Sequence, residues 1–129
     1  MDNIRKYFEL SGTISGLNYF LRNCIVSVLS YLIGYGIGVS VATDNITSII
    51  IYVALFSPVF WFSIATIYKR FNALVKRDVM LYTVLLISAQ IGTGALPEVS
   101  PIRSVLLLVT FITGLFLIFK NSDIENHEG

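Results

Sequence analysis

Tyr68-Lys69-Arg70-Phe71-Asn72-Ala73-Leu74-Val75-Lys76-Arg77-Asp78 is the most charged stretch of this chain, and it lies between two long apolar runs. Ile46 to Tyr68 ahead of it carries no charge, and neither does Val79 to Leu96 behind it. About 20 apolar residues, rising 1.5 Å each, suffice to cross the hydrocarbon core as a helix. Bases clustered in a short loop hold that loop on the cytoplasmic side. Residues 69–78 therefore read as a cytoplasmic loop joining two spans. Lys69, Arg70, Lys76 and Arg77 are expected to contact anionic headgroups or a partner, each adding about 1 kcal/mol of attraction near such a surface. Asp78 stands where the N-terminal dipole of the next helix favours an acid.

Outward from this loop, two further apolar runs appear, Cys24 to Ala42 and Ile102 to Phe119. The breaks that separate the runs on the far side are short, Thr43-Asp44-Asn45 and Pro97 to Pro101. Of the nine Lys and Arg residues, Arg5, Lys6, Arg22, Lys69, Arg70, Lys76, Arg77 and Lys120 fall on one side of this map and only Arg103 on the other. The expected fold is an all-α membrane protein, a single-domain four-transmembrane-helix bundle with spans 24–42, 46–68, 79–96 and 102–119. Both termini are expected in the cytoplasm, with a cytoplasmic tail at 120–129. Short loops make consecutive helices antiparallel neighbours. In residues 2–10, Ile4, Tyr7 and Phe8 share one helical face while Arg5 and Lys6 turn away, which fits either a short interfacial helix or a disordered leader.

Composition agrees: 55% of residues are hydrophobic, 13% are charged and the net charge is +1, against about 25% charged in ordinary soluble domains. No basic stripe of the kind that tracks phosphates is present, so nucleic acid is not an expected partner. The single cysteine, Cys24, rules out an internal disulfide and a cysteine-based metal cluster. Ser40-Val41-Ala42 has the small-x-small form of a signal-peptide cleavage site, yet the long leader and long apolar region fit a retained span better. Asn45-Ile46-Thr47 matches a glycosylation sequon, but its place between two spans reads as a turn with Asn45 or Asp44 as helix cap.

Within the spans, Ser30, Gly34, Gly38 and Ala42 recur every four residues and draw a narrow small-residue stripe for close helix packing, within the bundle or against a second copy. Gly36 lies off that stripe and is expected to add flexibility. Pro58 removes one backbone hydrogen bond near the middle of its span, and a kink is expected there. Trp61 is expected to pack between helices, and Tyr68 and Phe71 to sit in an interfacial aromatic belt. Ser88, Gln90 and Thr93 make the third span the most polar, which suits interhelical hydrogen bonds or, alternatively, a neutral polar path. No Asp, Glu, Lys, Arg or His lies inside any expected span, whereas ion-coupled carriers generally need such a group. No nucleophile, base and oxyanion-stabilising set is evident, so no enzyme, cofactor or metal is expected. His127, in the acidic tail, is expected to be solvated.

Three stretches resemble the small bacterial inner-membrane family known as domain of unknown function 805. Phe8 to Phe20 resembles the lead-in to that family's first span, where Phe-x-Gly-Arg-x-x-Arg precedes an aromatic. Gly12, Tyr19 and Phe20 match, while Thr13 and Gly16 stand where the family has arginines. Pro58 followed by Lys69-Arg70-Phe71-Asn72-Ala73 resembles the family's proline-containing helix leading to Arg-Arg-Leu-His-Asp, with Asn72 and Ala73 in place of His and Asp. Asn126-His127-Glu128-Gly129 resembles its C-terminal Asn-x-x-Gly. The resemblance implies a multi-pass inner-membrane protein without an established biochemical role.

The expected function is that of a non-enzymatic protein of the cytoplasmic membrane, bacterial or from a phage acting there, serving as an accessory or scaffold subunit, alone, as a homo-oligomer or in a larger membrane complex. The alternatives are a small transporter or channel subunit with a neutral path, and a phage-type membrane-permeabilising protein.

Overall fold

The computed structural model describes residues 2–75 and 77–120. Five helices follow one another: α1 (Asp2–Phe8), α2 (Gly16–Ala42), α3 (Ile46–Leu74), α4 (Val79–Ala95) and α5 (Pro101–Phe119). No strand occurs among the described residues. Three helices, α2, α3 and α5, are long and apolar enough to cross a membrane, and α4 is a shorter apolar helix of 17 residues.

Local chemistry sets the boundaries. Ser15 is extended and its side chain accepts from the Asn18 N–H at 3.2 Å, capping α2. At the other end Asp44 adopts φ 53°, a left-handed turn that stops the helix. Asn45 then caps α3 by accepting from the Ser48 N–H at 3.2 Å. Thr43-Asp44-Asn45 is thus the turn its composition suggests, and Asn45 is the cap. Asp78 precedes α4, also left-handed at φ 53°, without a side-chain capping bond. Pro101 opens α5, where its missing N–H costs nothing.

Two helices are longer than their hydropathy suggests. α2 starts at Gly16 rather than Cys24, and α3 runs past Tyr68 to Leu74, so Lys69 and Arg70 belong to a helix and not to a loop. The charges interrupt the apolar pattern, but residues 69–74 contain no glycine or proline to interrupt the helix. α3 also continues through Pro58 as one helix, with the Ser57 hydroxyl donating to the Val53 carbonyl at 3.4 Å.

α3 is the hub. It packs against α1, α2, α4 and α5, whereas α2 and α4 do not pack on each other. The apolar core is concentrated where the start of α2, the end of α3, the start of α4 and the end of α5 converge: Ile14, Tyr19, Ile67, Phe71, Val79, Leu86 and Leu117. Elsewhere the helices present leucine, isoleucine, valine and aromatic side chains outwards, the surface of a bundle that meets apolar surroundings on most sides. α1 realises the helical alternative for residues 2–10. Tyr7 and Phe8 both pack their rings on Phe62, at centroid distances of 6.3 and 5.9 Å, and Leu10 reaches in beside Trp61, Ile64 and Thr83.

Candidate functional site at the basic end of the bundle

The largest fully buried side chains are Arg70 and Lys69, at 1% and 0% exposure. The expectation that this pair faces headgroups is corrected: both point into the bundle. Helical spacing explains the reversal, since Thr66, Arg70 and Ala73 fall on the face of α3 that already packs inwards.

Arg70 gathers three main chains. Its Nε donates to the Leu117 carbonyl, Nη1 to the Ile14 carbonyl at 3.0 Å and Nη2 to the Lys120 carbonyl at 2.5 Å. Leu117 and Lys120 lie at the C-terminal end of α5, where the last carbonyls lack helical partners and the dipole favours a cation. A planar guanidinium with five donors suits such an array better than an ammonium. Gly16 permits the approach, since a Cβ there would strike the Ile118 carbonyl and lie 3.2 Å from Arg70 Nη2.

The neighbouring donors of α3 hold the N-terminal segment in the same manner. Lys69 Nζ donates to the Lys6 carbonyl, Trp61 Nε1 to the Phe8 carbonyl at 2.7 Å and Asn72 Nδ2 to the Gly12 carbonyl at 2.9 Å. Gly12 has φ 83°, a left-handed conformation that favours glycine. Arg22, 4% exposed, bonds Asn18 Oδ1 through Nε at 2.9 Å and lays its guanidinium over the Tyr7 and Phe62 rings at 4.7 and 6.0 Å. Neither Lys69 nor Arg70 makes an ion pair among the described residues; carbonyl dipoles balance them. The surface pairs are Arg5 with Glu9 at 2.9 Å and Arg77 with Asp78 at 3.6 Å.

Arg77 is exposed, while Lys76 and the tail residues 121–129, with His127 and the Asn126–Gly129 resemblance, lie outside the described residues. The small-residue stripe turns outwards beyond Ser30, which is half-buried. Gly34, Gly38 and Ala42 are exposed, and a Cβ at Gly34 or Gly38 would touch nothing within 4 Å. The close approach is made by Gly36, where a Cβ would strike the Tyr52 ring, and Ser40 beside it is buried. Gly36 and Ser40 sit one helical turn apart on the opposite face from Gly34 and Gly38, so packing within the chain runs along Gly36 and Ser40.

Ser88, Gln90 and Thr93 do not form one path. Gln90 lines a recess of about 210 Å³ with Ser30 and Ser63, while Ser88 borders a separate recess with Leu10 and Trp61. Thr93 folds back to the Ala89 carbonyl at 2.9 Å. Arg103, at the other end of the bundle, donates from Nε to the Thr93 carbonyl at 2.8 Å. It repeats on α4 the helix-end capping that Arg70 performs on α5. Cys24 is exposed, and no cluster of three or more His, Cys, Asp or Glu suited to a metal occurs among the described residues.

Chemically, the basic end is a set of donors directed at carbonyl oxygens. Arg22, Trp61 and Asn72 join it although apolar periodicity did not mark them as a group. Their shared signal is position: each is a polar or amphipathic residue within two or three turns of the base pair on α3, or facing it from α2. No protein-family model matches the chain, and no curated protein or solved structure matches it either.

Proposed function

We propose that this protein is a non-enzymatic, multi-pass accessory or scaffold subunit of the bacterial cytoplasmic membrane, crossing it four times with both termini in the cytoplasm. The observation that carries the reading is the use of the buried bases: Lys69 and Arg70 are engaged with main-chain carbonyls of the protein itself. Groups held in this way build a rigid end rather than perform acid, base or nucleophilic chemistry. The apolar exteriors of α2, α3 and α5 support membrane residence. The eight-to-one distribution of bases supports the orientation. Kinship with the domain of unknown function 805 family belongs to this proposal, supported by Pro58 and the Lys69-Arg70-Phe71 sequence within one helix.

A cytoplasm-active reporter fused after Gly129 is expected to be active, and one inserted between Pro97 and Pro101 inactive. Activity of the second fusion overturns the topology. Transport of a defined solute by the purified protein in liposomes overturns the accessory role. The second reading, a small channel or transporter subunit, is favoured by the outward Gly34 and Gly38, which leave a self-association surface open.

A further inference from the structure

We propose that the recess between α2 and α4 binds a lipophilic molecule carrying one uncharged hydrogen-bonding head. Both helices pack on α3 but not on each other, and the gap above α3 is a recess of about 210 Å³. Each of the three helices contributes one neutral polar group to its lining: Ser30 from α2, Ser63 from α3 and Gln90 from α4. The rest of the lining is apolar, Phe56 and Phe60 included.

These polar groups are set apart by meeting at one recess, since other span hydroxyls, Thr110 among them, also lack a hydrogen-bond partner. Ser40, Ser57, Thr66, Thr83 and Thr93 each donate to the carbonyl four residues earlier, the usual way a hydroxyl is satisfied in an apolar helix. Ser30 and Ser63 make no such bond, and neither they nor Gln90 has a hydrogen-bond partner among the described residues. Counted along their helices from Arg22, Lys69 and Val79, they lie roughly 9 to 17 Å in from the basic end, at a depth where lipid offers no partner. Three neutral polar groups from three helices converging there mark a place where a partner's hydrogen bonds count most.

The chemistry of the lining selects the occupant. Among the described residues no ionisable side chain borders the recess, so a charged head would enter without compensation. Two hydroxyls and a carboxamide supply both donors and acceptors, matched to a carbonyl or hydroxyl head. The volume falls below the 300–1,000 Å³ or so of sites that enclose a whole drug-sized ligand, and a helix about 10 Å across does not fit within it. The head occupies the recess, and an apolar tail lies along the open cleft between α2 and α4. The proposal stands apart from the accessory role, since it requires only that these helices lie in lipid.

The test uses decyl-benzoquinone, a neutral ring with two carbonyl acceptors and an apolar tail, added to the full-length protein in phosphatidylcholine nanodiscs. The single tryptophan, Trp61, lies on α3 next to Phe60 of the lining and reports binding by quenching. Saturable quenching is expected, with half-saturation raised at least ten-fold in the combined Ser30→Ala, Ser63→Ala, Gln90→Leu variant. Ser88→Ala, outside the recess, should leave it unchanged, and decylbenzene, lacking the head, should compete at least ten-fold more weakly. Unsaturable quenching, equal quenching in the combined variant, or equal competition by decylbenzene overturns the proposal. So does a combined variant that changes oligomeric state while the wild type fails to bind the quinone, which would assign the three groups to contact with another copy.

Discussion

Residues 65–73 of α3 and residues 34–42 of α2 exchange the roles that their side chains suggest. The first carries two cations and is the most buried part of the molecule, with Ala65, Ile67, Lys69, Arg70 and Ala73 each at 1% exposure or less. The second carries small residues suited to tight packing, yet only Gly36 and Ser40 of it are buried. The difference lies in what each stretch can satisfy. Four chain segments end or begin around residues 65–73, and helix ends supply orphan carbonyls for which a buried cation is a good partner. Around residues 34–42 the close approach is to Tyr52 of α3, so the Gly36 face packs and the Gly34 and Gly38 face is open. Burial in this bundle follows the convergence of chain ends more closely than it follows polarity.

The strongest way to break the comparison is Arg70→Leu. Three charge-assisted hydrogen bonds disappear together, each worth about 1.5–3 kcal/mol, and buried carbonyls are left without donors. A loss on the order of 4 kcal/mol is expected in detergent unfolding, with Arg70→Lys recovering only part because an ammonium cannot reproduce the fork. A stability within about 0.5 kcal/mol of wild type would show that the buried guanidinium is incidental.

Gly36→Ile tests the other region. It drives a branched side chain into the Tyr52 ring and should cost about 1–3 kcal/mol, as overpacking does. Next in size is Trp61→Phe, which keeps the aromatic bulk but removes the bond to the Phe8 carbonyl, for about 1 kcal/mol. Faster proteolysis within residues 1–15, with the helices still protected, would identify that bond as a tether of the N-terminal segment.

The smallest effect on the isolated fold belongs to Gly34→Ile with Gly38→Ile, since added side chains there meet open space. Unfolding should shift by no more than about 0.5 kcal/mol. Sedimentation in detergent sharpens the contrast: a shift from dimer to monomer gives the outward face a self-association role, and an unchanged mass leaves it to lipid.

The apolar helices and the turn at Thr43-Asp44-Asn45 are legible in the sequence, because hydropathy and turn chemistry act over a few residues. The termini of α2 and α3 are less so. Arg22, Asn23, Lys69 and Arg70 interrupt the apolar pattern without interrupting the helix, and only the tertiary setting shows that their charges are accommodated. Register is the other limit. Positions 30, 34, 38 and 42 and positions 36 and 40 both carry small residues at a spacing of four, and choosing between them requires knowing that Tyr52 arrives on one side. The recess is half visible in the sequence: Gln90 stands out as polar, but Ser30 and Ser63 come from other helices and only the fold brings them to it.

Arg70 also imposes an order on biogenesis. During synthesis it emerges 47 residues before the Leu117 carbonyl and 50 before that of Lys120, while the Ile14 carbonyl is already made. Until α5 is inserted, the guanidinium holds one of its three acceptors and remains poorly suited to a lipid environment. Completion of α5 is therefore the event that lets α3 settle, because only then does Arg70 meet all three of its acceptors.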